Sequence, residues 1–296
     1  MARCLAVFCL LALPLPAGAA APLMALPGQW NVDPMGGFTY TLPIEAPPGT
    51  DGMVPHIALS YSSRGGDGYV GYGWSISGLS TIRRCAQTYA QDGKHGGVNY
   101  DANDRFCLDG QRLILVSGSY GANGSQYRTE VESFRKIVFH TTGSNCGVSC
   151  FDVWTKDGTD YQYGYTENSN GNASGAQILA YDTNNNPPAI VRLWALNQVT
   201  DTKGNFIDYT YADIDNYADY VPTRIDFTGN SATGSSTYNS IQFSYEDLSQ
   251  VSTLVKTYQA GYLIEPQRLL TAITTHHLGP QILNYALTSH PSRLRE

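Results

Sequence analysis

Two glutamates two residues apart, Glu130 and Glu132, form the acidic pair whose spacing could support catalysis. On a β-strand, residues two apart face the same side, so the pair could present both carboxylates to one ligand. Surface carboxylates are, however, most often simply solvated. We therefore weigh the pair as a candidate and do not assign it a catalytic role.

Serines beside glycines are a second candidate. Ser75 and Ser77 lie in the run GYGWSISG at 71–78, which contains no Gly-x-Ser-x-Gly nucleophile elbow. The run 65–73 also lacks the Lys-Ser/Thr of a phosphate loop. The glycines are better explained as letting a bent chain pack against the ring of Trp74. No catalytic or cofactor-binding residue is predicted, and the chain is not predicted to be an enzyme.

Metal ligands are the third possibility. Asp213, Asp215 and Asp219 could offer clustered oxygens to calcium, but they lack the loop glycine and bidentate glutamate of a recognised site. His276 and His277 are adjacent, so on a strand they point to opposite faces. No metal site is predicted, and bound calcium stays open.

The first 21 residues have the pattern of a secretory signal peptide. Arg3 supplies the positive start, 4–15 an apolar run and 17–21 a small-residue cleavage site. The run is broken by prolines and is shorter than the ~20 residues that a membrane-spanning helix needs. We predict that the chain is exported, secreted or at the periplasm or cell surface, with no membrane span in the mature part, 22–296.

Export changes how the cysteines are interpreted. Removal of the signal leaves Cys85, Cys107, Cys146 and Cys150. An even number of cysteines in an oxidising compartment predicts two disulfides. The local pairing, Cys85 with Cys107 and Cys146 with Cys150, is one of three. Zinc is not favoured, because only the second pair is closely spaced.

Composition limits the other functions. The 296 residues are 42% apolar and carry 18 basic against 25 acidic groups, a net charge of −7. This excludes a wholly disordered chain and argues against a nucleic-acid partner, which requires a basic footprint.

Hydrophobic periodicity predicts an all-β protein. After the signal no window has helical periodicity, whereas period-two alternation recurs between Gly- and Asn-rich turns. Phe38, Tyr40 and Leu42 share one face of a first strand, and the apolar run 113–116 suggests a strand covered on both faces. We expect many short antiparallel strands and hairpins in a large sandwich or open shell-like domain. The polar stretch 166–190 is either a sub-boundary or an insertion. Other strands are predicted at 57–61, 136–140, 151–155, 159–165, 191–200, 205–212, 223–228, 240–246, 269–276 and 282–289.

Nine segments carry a family resemblance. In chain order they are 37–44, 47–52, 59–63, 71–80, 82–85, 104–113, 127–130, 154–158 and 194–197. Together they resemble the N-terminal domain of the Salmonella virulence plasmid B and insecticidal toxin complex B family, which is related to Rhs/YD-repeat proteins. In addition, 201–211 resembles one Rhs/YD unit. Physically this unit is a hairpin, with Gly204 at a tight turn and Ile207, Tyr209 and Tyr211 on one face.

The resemblance implies a function. In this family the β-units coil into a shell that encloses a toxic segment, so we expect a non-catalytic exported scaffold whose partners are other parts of a toxin assembly. Full-length members are much longer, and we interpret the chain as a fragment. One alternative is an extracellular module whose tyrosines and 167–186 loop bind carbohydrate or protein. Another is a fragment of an ADP-ribosyltransferase, whose catalytic module in the family is C-terminal and is absent here.

Overall fold

The computed structural model describes residues 28–180, 190–214, 219–248, 257–259, 262–264 and 267–287. The predicted signal peptide at 1–21 lies outside these residues. The described chain forms twenty strands and one four-residue helix, so the all-β prediction is confirmed.

A small antiparallel sheet comes first. Its strands follow one another in chain order, and each pairs with the next. They are β1 (Gln29–Val32), β2 (Phe38–Pro43), β3 (Ala58–Ser62) and β4 (Trp74–Ser77).

Eight of the next nine strands close into a barrel. The elements of this part are β5 (Thr81–Cys85), α1 (Tyr89–Asp92), β6 (Arg105–Leu108), β7 (Gln111–Ser117), β8 (Gln126–Thr129), β9 (Lys136–His140), β10 (Cys150–Trp154), β11 (Asp160–Tyr163), β12 (Gln177–Leu179) and β13 (Val191–Thr200). Strands β5 to β11 pair in sequence, and both β5 and β11 pair with β13. This double pairing closes the ring. Strand β12 lies inside the 166–190 stretch and also pairs with β13.

The barrel continues into a broad sheet. Its further strands are β14 (Asn205–Ile214), β15 (Asp219–Asn230), β16 (Asn239–Asp247), β19 (Arg268–His277) and β20 (Gln281–Ala286), while β17 (Thr257–Gln259) and β18 (Tyr262–Ile264) form a separate hairpin. The second half of β13 pairs with β14 through Gln198 and Asp208. Strand β13 therefore belongs to both the barrel and the broad sheet.

Aromatic rings fill the barrel. The ring of Phe106 lies 5.2 Å from those of Phe139 and Phe151 and 5.4 Å from that of Trp194, between ring centroids. The indole N–H of Trp194 donates to the carbonyl oxygen of Ser149 at 2.9 Å, which satisfies a polar group that the core would otherwise bury alone. The interior is thus a packed core and not a channel.

The predicted hairpin at 201–211 is present between β13 and β14. Gly204 adopts a positive φ of 83°, which glycine takes without steric cost. The Asp201 carboxylate accepts hydrogen bonds from the backbone N–H groups of Lys203 and Asn205, which fixes the turn. Residues Ile207, Tyr209 and Tyr211 are all buried, as expected of one shared face.

The connections between β2 and β3 and between β3 and β4 pack against the broad sheet. Ile44, Ile57 and Val70 join its buried cluster. Backbone groups link the two layers, since the N–H of Leu270 donates to the carbonyl oxygen of Tyr69 at 2.6 Å. The small sheet is therefore anchored by the chain that leads into and out of it.

The structure corrects one detail of the strand prediction. The run 113–116 was expected to be covered on both faces, yet only Leu113 is fully buried and Val116 is 60% exposed. Strand β7 extends beyond this run to Ser117, and its last two residues, Val116 and Ser117, are exposed. An apolar run alone did not distinguish these two environments.

Candidate interaction surface

Four aromatic side chains form a row across the small sheet. Register pairs Trp30 with Tyr40, Tyr40 with Tyr61, and Tyr61 with Trp74. Directly opposed residues of antiparallel strands lie on the same face, so the row follows from register alone. The rings of Tyr61 and Trp74 are 5.3 Å apart, and those of Tyr40 and Trp74 are 6.3 Å apart.

This row belongs to a partly exposed aromatic face, which we define as Trp30, Val32, Phe38, Tyr40, Tyr61 and Trp74. At one end of the sheet the same side continues into Leu59, which is buried in the core. At the other end Trp30 is 70% exposed and Phe38 is 41% exposed. Contiguous exposed apolar residues mark interaction sites more often than isolated ones do.

The opposite side of the small sheet is polar. It carries Ser60, Ser75 and Ser77, and the Ser60 hydroxyl donates to that of Ser77 at 3.0 Å. The Ser77 hydroxyl also donates to the carbonyl oxygen of Ala58 at 3.2 Å. The serines considered as nucleophiles thus engage in cross-strand hydrogen bonds.

Gly73 allows the aromatic row to pack. Its φ is +77°, and a Cβ atom there would lie 2.7 Å from the Tyr61 ring and 2.8 Å from the Ser62 carbonyl oxygen. Any larger residue would have to displace the strand that carries Tyr61. The glycines were expected to let the chain pack against Trp74, whereas at Gly73 the ring that requires a glycine is that of Tyr61, the neighbour of Trp74 in the row.

The structure does not bring Glu130 and Glu132 together as a catalytic pair. Both are exposed and lie in the loop after β8, not on a strand, so the alternation that would align them does not apply. Glu130 accepts a hydrogen bond from Gln91 at 2.6 Å, whereas Glu132 accepts one from the backbone N–H of Phe134 at 2.7 Å. The two carboxylates serve different local contacts.

The calcium candidates Asp213, Asp215 and Asp219 are only partly covered by the described residues. Within the described part of the chain no group of three His, Cys, Asp or Glu side chains could hold a metal ion. Asp215 lies outside the described residues. His276 contacts Thr274 and the Gly279 carbonyl oxygen, while His277 contacts Asn239.

The cysteines form two disulfides in the structure, Cys85–Cys107 and Cys146–Cys150. This is the local pairing of the three that the sequence leaves open. The first bridge joins β5 to β6, and the second closes the short loop before β10.

A titratable cluster on the outer barrel wall was not predicted. His140 Nε2 lies 3.0 Å from Asp152 Oδ2, and the Tyr165 hydroxyl donates to Asp152 Oδ1 at 2.8 Å. Burial, and after it the neighbouring charge of Asp152, raises the pKa of Asp160 to about 6. The register of β9, β10 and β11 brings His140, Asp152 and Asp160 together, and Tyr165 follows two residues after β11, so no local motif signals the cluster.

A second unpredicted cluster ties α1 to the barrel. Asp92 accepts hydrogen bonds from Arg105 at 2.8 Å and from Arg112 at 2.8 and 2.9 Å. Burial alone would raise the pKa of Asp92. The hydrogen bonds from the Thr88 N–H, Arg112 and Arg105 outweigh burial and lower it to about 2.

These features define an all-β domain in which a filled eight-stranded barrel shares one strand with a broad sheet and presents an aromatic face beside it. Within the described residues no helix has the length and apolar character needed to cross a membrane.

The family model for the Salmonella virulence plasmid 65kDa B protein matches residues 32–257. This is 226 of the 296 residues, and the chain therefore belongs to this family. The resemblance drawn from the sequence motifs is confirmed.

Related proteins match part of this chain in sequence. Over 87 residues the chain is 37% identical to the mono(ADP-ribosyl)transferase SpvB of Salmonella typhimurium and 36% identical to that of Salmonella choleraesuis. The match covers 29% of this chain but only 13% of the length of those relatives.

Solved structures share the fold. The structure of the N-terminal domain of effector protein SpvB from Salmonella typhimurium strain LT2 matches with a TM-score of 0.56 at 20% identity, covering 80% of this chain and 88% of that one. The crystal structure of TcdB2-TccC3 matches with a TM-score of 0.65 at 19% identity, covering 91% of this chain and 15% of that one. The chain thus corresponds to the N-terminal domain of its family.

Proposed function

We propose that this chain is a non-catalytic, exported scaffold domain of a toxin-complex protein. The observation that carries the proposal is that nearly the whole fold recurs as 15% of the much longer TcdB2-TccC3 chain. We expect a domain embedded in that way to have outer faces that contact neighbouring polypeptide. The aromatic face is suited to such a contact, because its exposed end is apolar and is not blocked by the charges that protect solvated sheet edges.

The domain assignment and the location belong to the same proposal. Residues 22–296 act as one toxin-B-like domain after a signal peptide at 1–21, with a sub-boundary at 166–190 or an insertion there. The hairpin at 201–211 contributes one Rhs/YD-like unit. The partners are other parts of a toxin assembly, and no enzymatic step is assigned to this chain.

The size of the complex that contains the chain in its native setting tests this function. An affinity tag at the natural locus should recover the chain from the secreted fraction in a complex much larger than one chain, with toxin-complex or Rhs sequences identified by mass spectrometry. The double change Trp30→Ser and Phe38→Ser should release it. The matched control, Asn31→Ser and Thr39→Ser, alters the opposite side of the same strands and should not. A secreted monomer, or equal release by both variants, would contradict the proposal.

A carbohydrate-binding module is the second candidate. The exposed ring of Trp30, and of Tyr72 at 59% exposure, could stack on sugars. The 167–186 loop, which the sequence suggests as the contact, is less suited to this role. Its described part packs against the broad sheet, where Ser169 donates to Asp208, and residues 181–186 lie outside the described chain. Glycan-array binding that is lost in Trp30→Ala would favour this candidate over the scaffold.

A further inference from the structure

Strand β1 is an open edge of the small sheet. Of the strands that the structure describes, only β2 pairs with it. All four residues of β1 are exposed, and the side chain of Trp30 is 70% exposed. An edge of this kind presents backbone N–H and C=O groups with which a further strand can pair.

The turn that joins β1 to β2 shows which backbone groups point outward. There the N–H of Asp33 donates to the carbonyl oxygen of Gly37 at 2.8 Å, so these two opposed residues form a hydrogen-bonded pair. Such pairs alternate with non-bonded ones along an antiparallel ladder. The backbone groups of Asn31 therefore point toward β2. Those of Trp30 and Val32 point away from the sheet, where a further strand would lie.

This edge lacks the features that usually prevent strand addition. Natural sheets protect their edges with charged side chains, prolines or bulges. The four strands of the small sheet contain no Asp, Glu, Lys or Arg. Strand β1 contains no proline, and its register with β2 has no shift. Two copies of the edge can therefore approach each other without charge repulsion between their strands.

The edge is also complementary to itself. In an antiparallel arrangement centred on Asn31, the outward backbone groups of Trp30 meet those of Val32 in the second copy, and the two-fold axis repeats this pair. Each Trp30 ring then lies across from a Val32 side chain, and an aromatic residue opposite a β-branched one is a favourable cross-strand pair. On the polar side Asn31 opposes Asn31 and Gln29 opposes Asp33, so no like charges face each other.

We propose that β1 pairs with β1 of a second copy of this chain, forming a two-fold dimer with one continuous eight-stranded sheet. A strand of four residues buries far less than the roughly 1,200–2,000 Å² of a stable interface, so the dimer is reversible. Pairing through the edge leaves the flat aromatic face open. It sets two such faces side by side, so it adds to the scaffold function and does not compete with it.

Sedimentation velocity of the intact chain tests the dimer. The mass should rise from one chain toward two as the concentration increases into the millimolar range. Trp30→Glu with Val32→Glu should weaken association about tenfold or more, because the symmetric register sets each introduced glutamate across from another. Trp30→Lys with Val32→Lys should do the same. An equimolar mixture of the two variants should associate again, since every lysine then opposes a glutamate.

The matched control changes two valines on and beside the barrel. Val116 is 60% exposed and Val131 is 68% exposed. Val116→Glu with Val131→Glu adds the same charge away from the small sheet and should associate as the unmodified chain does. A single-chain mass at every concentration, undiminished association of the Trp30→Glu and Val32→Glu variant, or a mixture that stays monomeric would overturn the proposal.

Amide hydrogen exchange provides a second measurement that needs no variant. In dilute solution the N–H groups of Trp30 and Val32 should exchange faster than that of Asn31, and they should become protected at high concentration. Rates for Trp30 and Val32 that do not change with concentration would reject the pairing even if the charged variants failed to fold. Both experiments use the purified chain alone, so their outcome is separate from that of the toxin-complex test.

Discussion

Arg112 holds Asp92 with its Nη2 atom 2.8 Å from one carboxylate oxygen and 2.9 Å from the other. Both side chains are largely buried, with exposures of 8% for Arg112 and 6% for Asp92. The pair attaches α1 to the barrel wall at β7. The helix has only four residues, and the other three, Tyr89, Ala90 and Gln91, are exposed, so this contact and not apolar packing keeps it in place.

Asp92→Asn should therefore destabilise the domain by about 3 kcal/mol at neutral pH, because it leaves two arginines without their buried counter-charge. The pKa of Asp92 is lowered in the folded state, so its stabilisation is present above pH 4 and is lost as the pH falls toward 2. Guanidinium unfolding at pH 7 and at pH 3 measures both effects. Similar destabilisation by Asp92→Asn at the two pH values would contradict this account.

The sequence allowed strand positions to be predicted better than strand partners. The strands at 136–140 and 191–200 were placed at the residues where β9 and β13 lie, because their alternation and turns are local. Closure of the barrel depends on pairing β11 with β13 and β13 with β5, contacts between residues far apart in the chain. Alternation does not encode such pairs.

The candidate sites were likewise predictable from the sequence only where the signal is local. Cysteine count and the predicted export indicated the disulfide candidates without structural information. The aromatic row was missed, although Tyr40 and Tyr61 were assigned to strand faces, because β1 and β4 are short and were not predicted. A four-residue strand such as Gln29–Val32, exposed at every position, has no buried side to produce a detectable pattern.

The raised pKa of Asp160 predicts a pH dependence of stability opposite to that of Asp92. Its pKa is raised to about 6, so the folded state binds more protons than the unfolded state between about pH 4 and 6. The sign follows: this carboxyl lowers stability as the pH rises through that interval. Asp160→Asn should therefore gain about 1 kcal/mol over the unmodified chain at pH 7.5 and lose that advantage at pH 4.

Thermal unfolding of both proteins across this pH range measures the difference. Glu130→Gln is a suitable control, since that carboxylate is exposed. An Asp160→Asn advantage that is the same at pH 4 and pH 7.5 would exclude titration of Asp160 as its cause.

The two ends of the aromatic row should differ in what they contribute. Trp74→Ala should destabilise the domain by about 2–3 kcal/mol, because its ring contacts Tyr61 and Tyr40 and packs against the core. Trp30→Ala should cost less than about 0.5 kcal/mol, since that side chain is 70% exposed. Equilibrium unfolding in urea separates the two. Equal losses of stability in the two variants would mean that the Trp30 side chain packs against the domain as Trp74 does.

The two disulfides should stabilise the domain to different extents. Loop-closure entropy of the unfolded chain gives about 3 kcal/mol for the bridge separated by 22 residues, Cys85–Cys107, and about 2 kcal/mol for the one separated by 4, Cys146–Cys150. Each double alanine variant loses two sulfur atoms, so the difference between their free energies of unfolding reports the difference in loop length. Guanidinium unfolding of both under oxidising conditions should rank the Cys85 and Cys107 variant as the less stable.

Under a reducing agent the unmodified chain should lose more stability than either variant, because only it still has both bridges to lose. A larger loss for the Cys146 and Cys150 variant would show that the short loop contributes through the native state, where Ser149 accepts the indole hydrogen bond of Trp194.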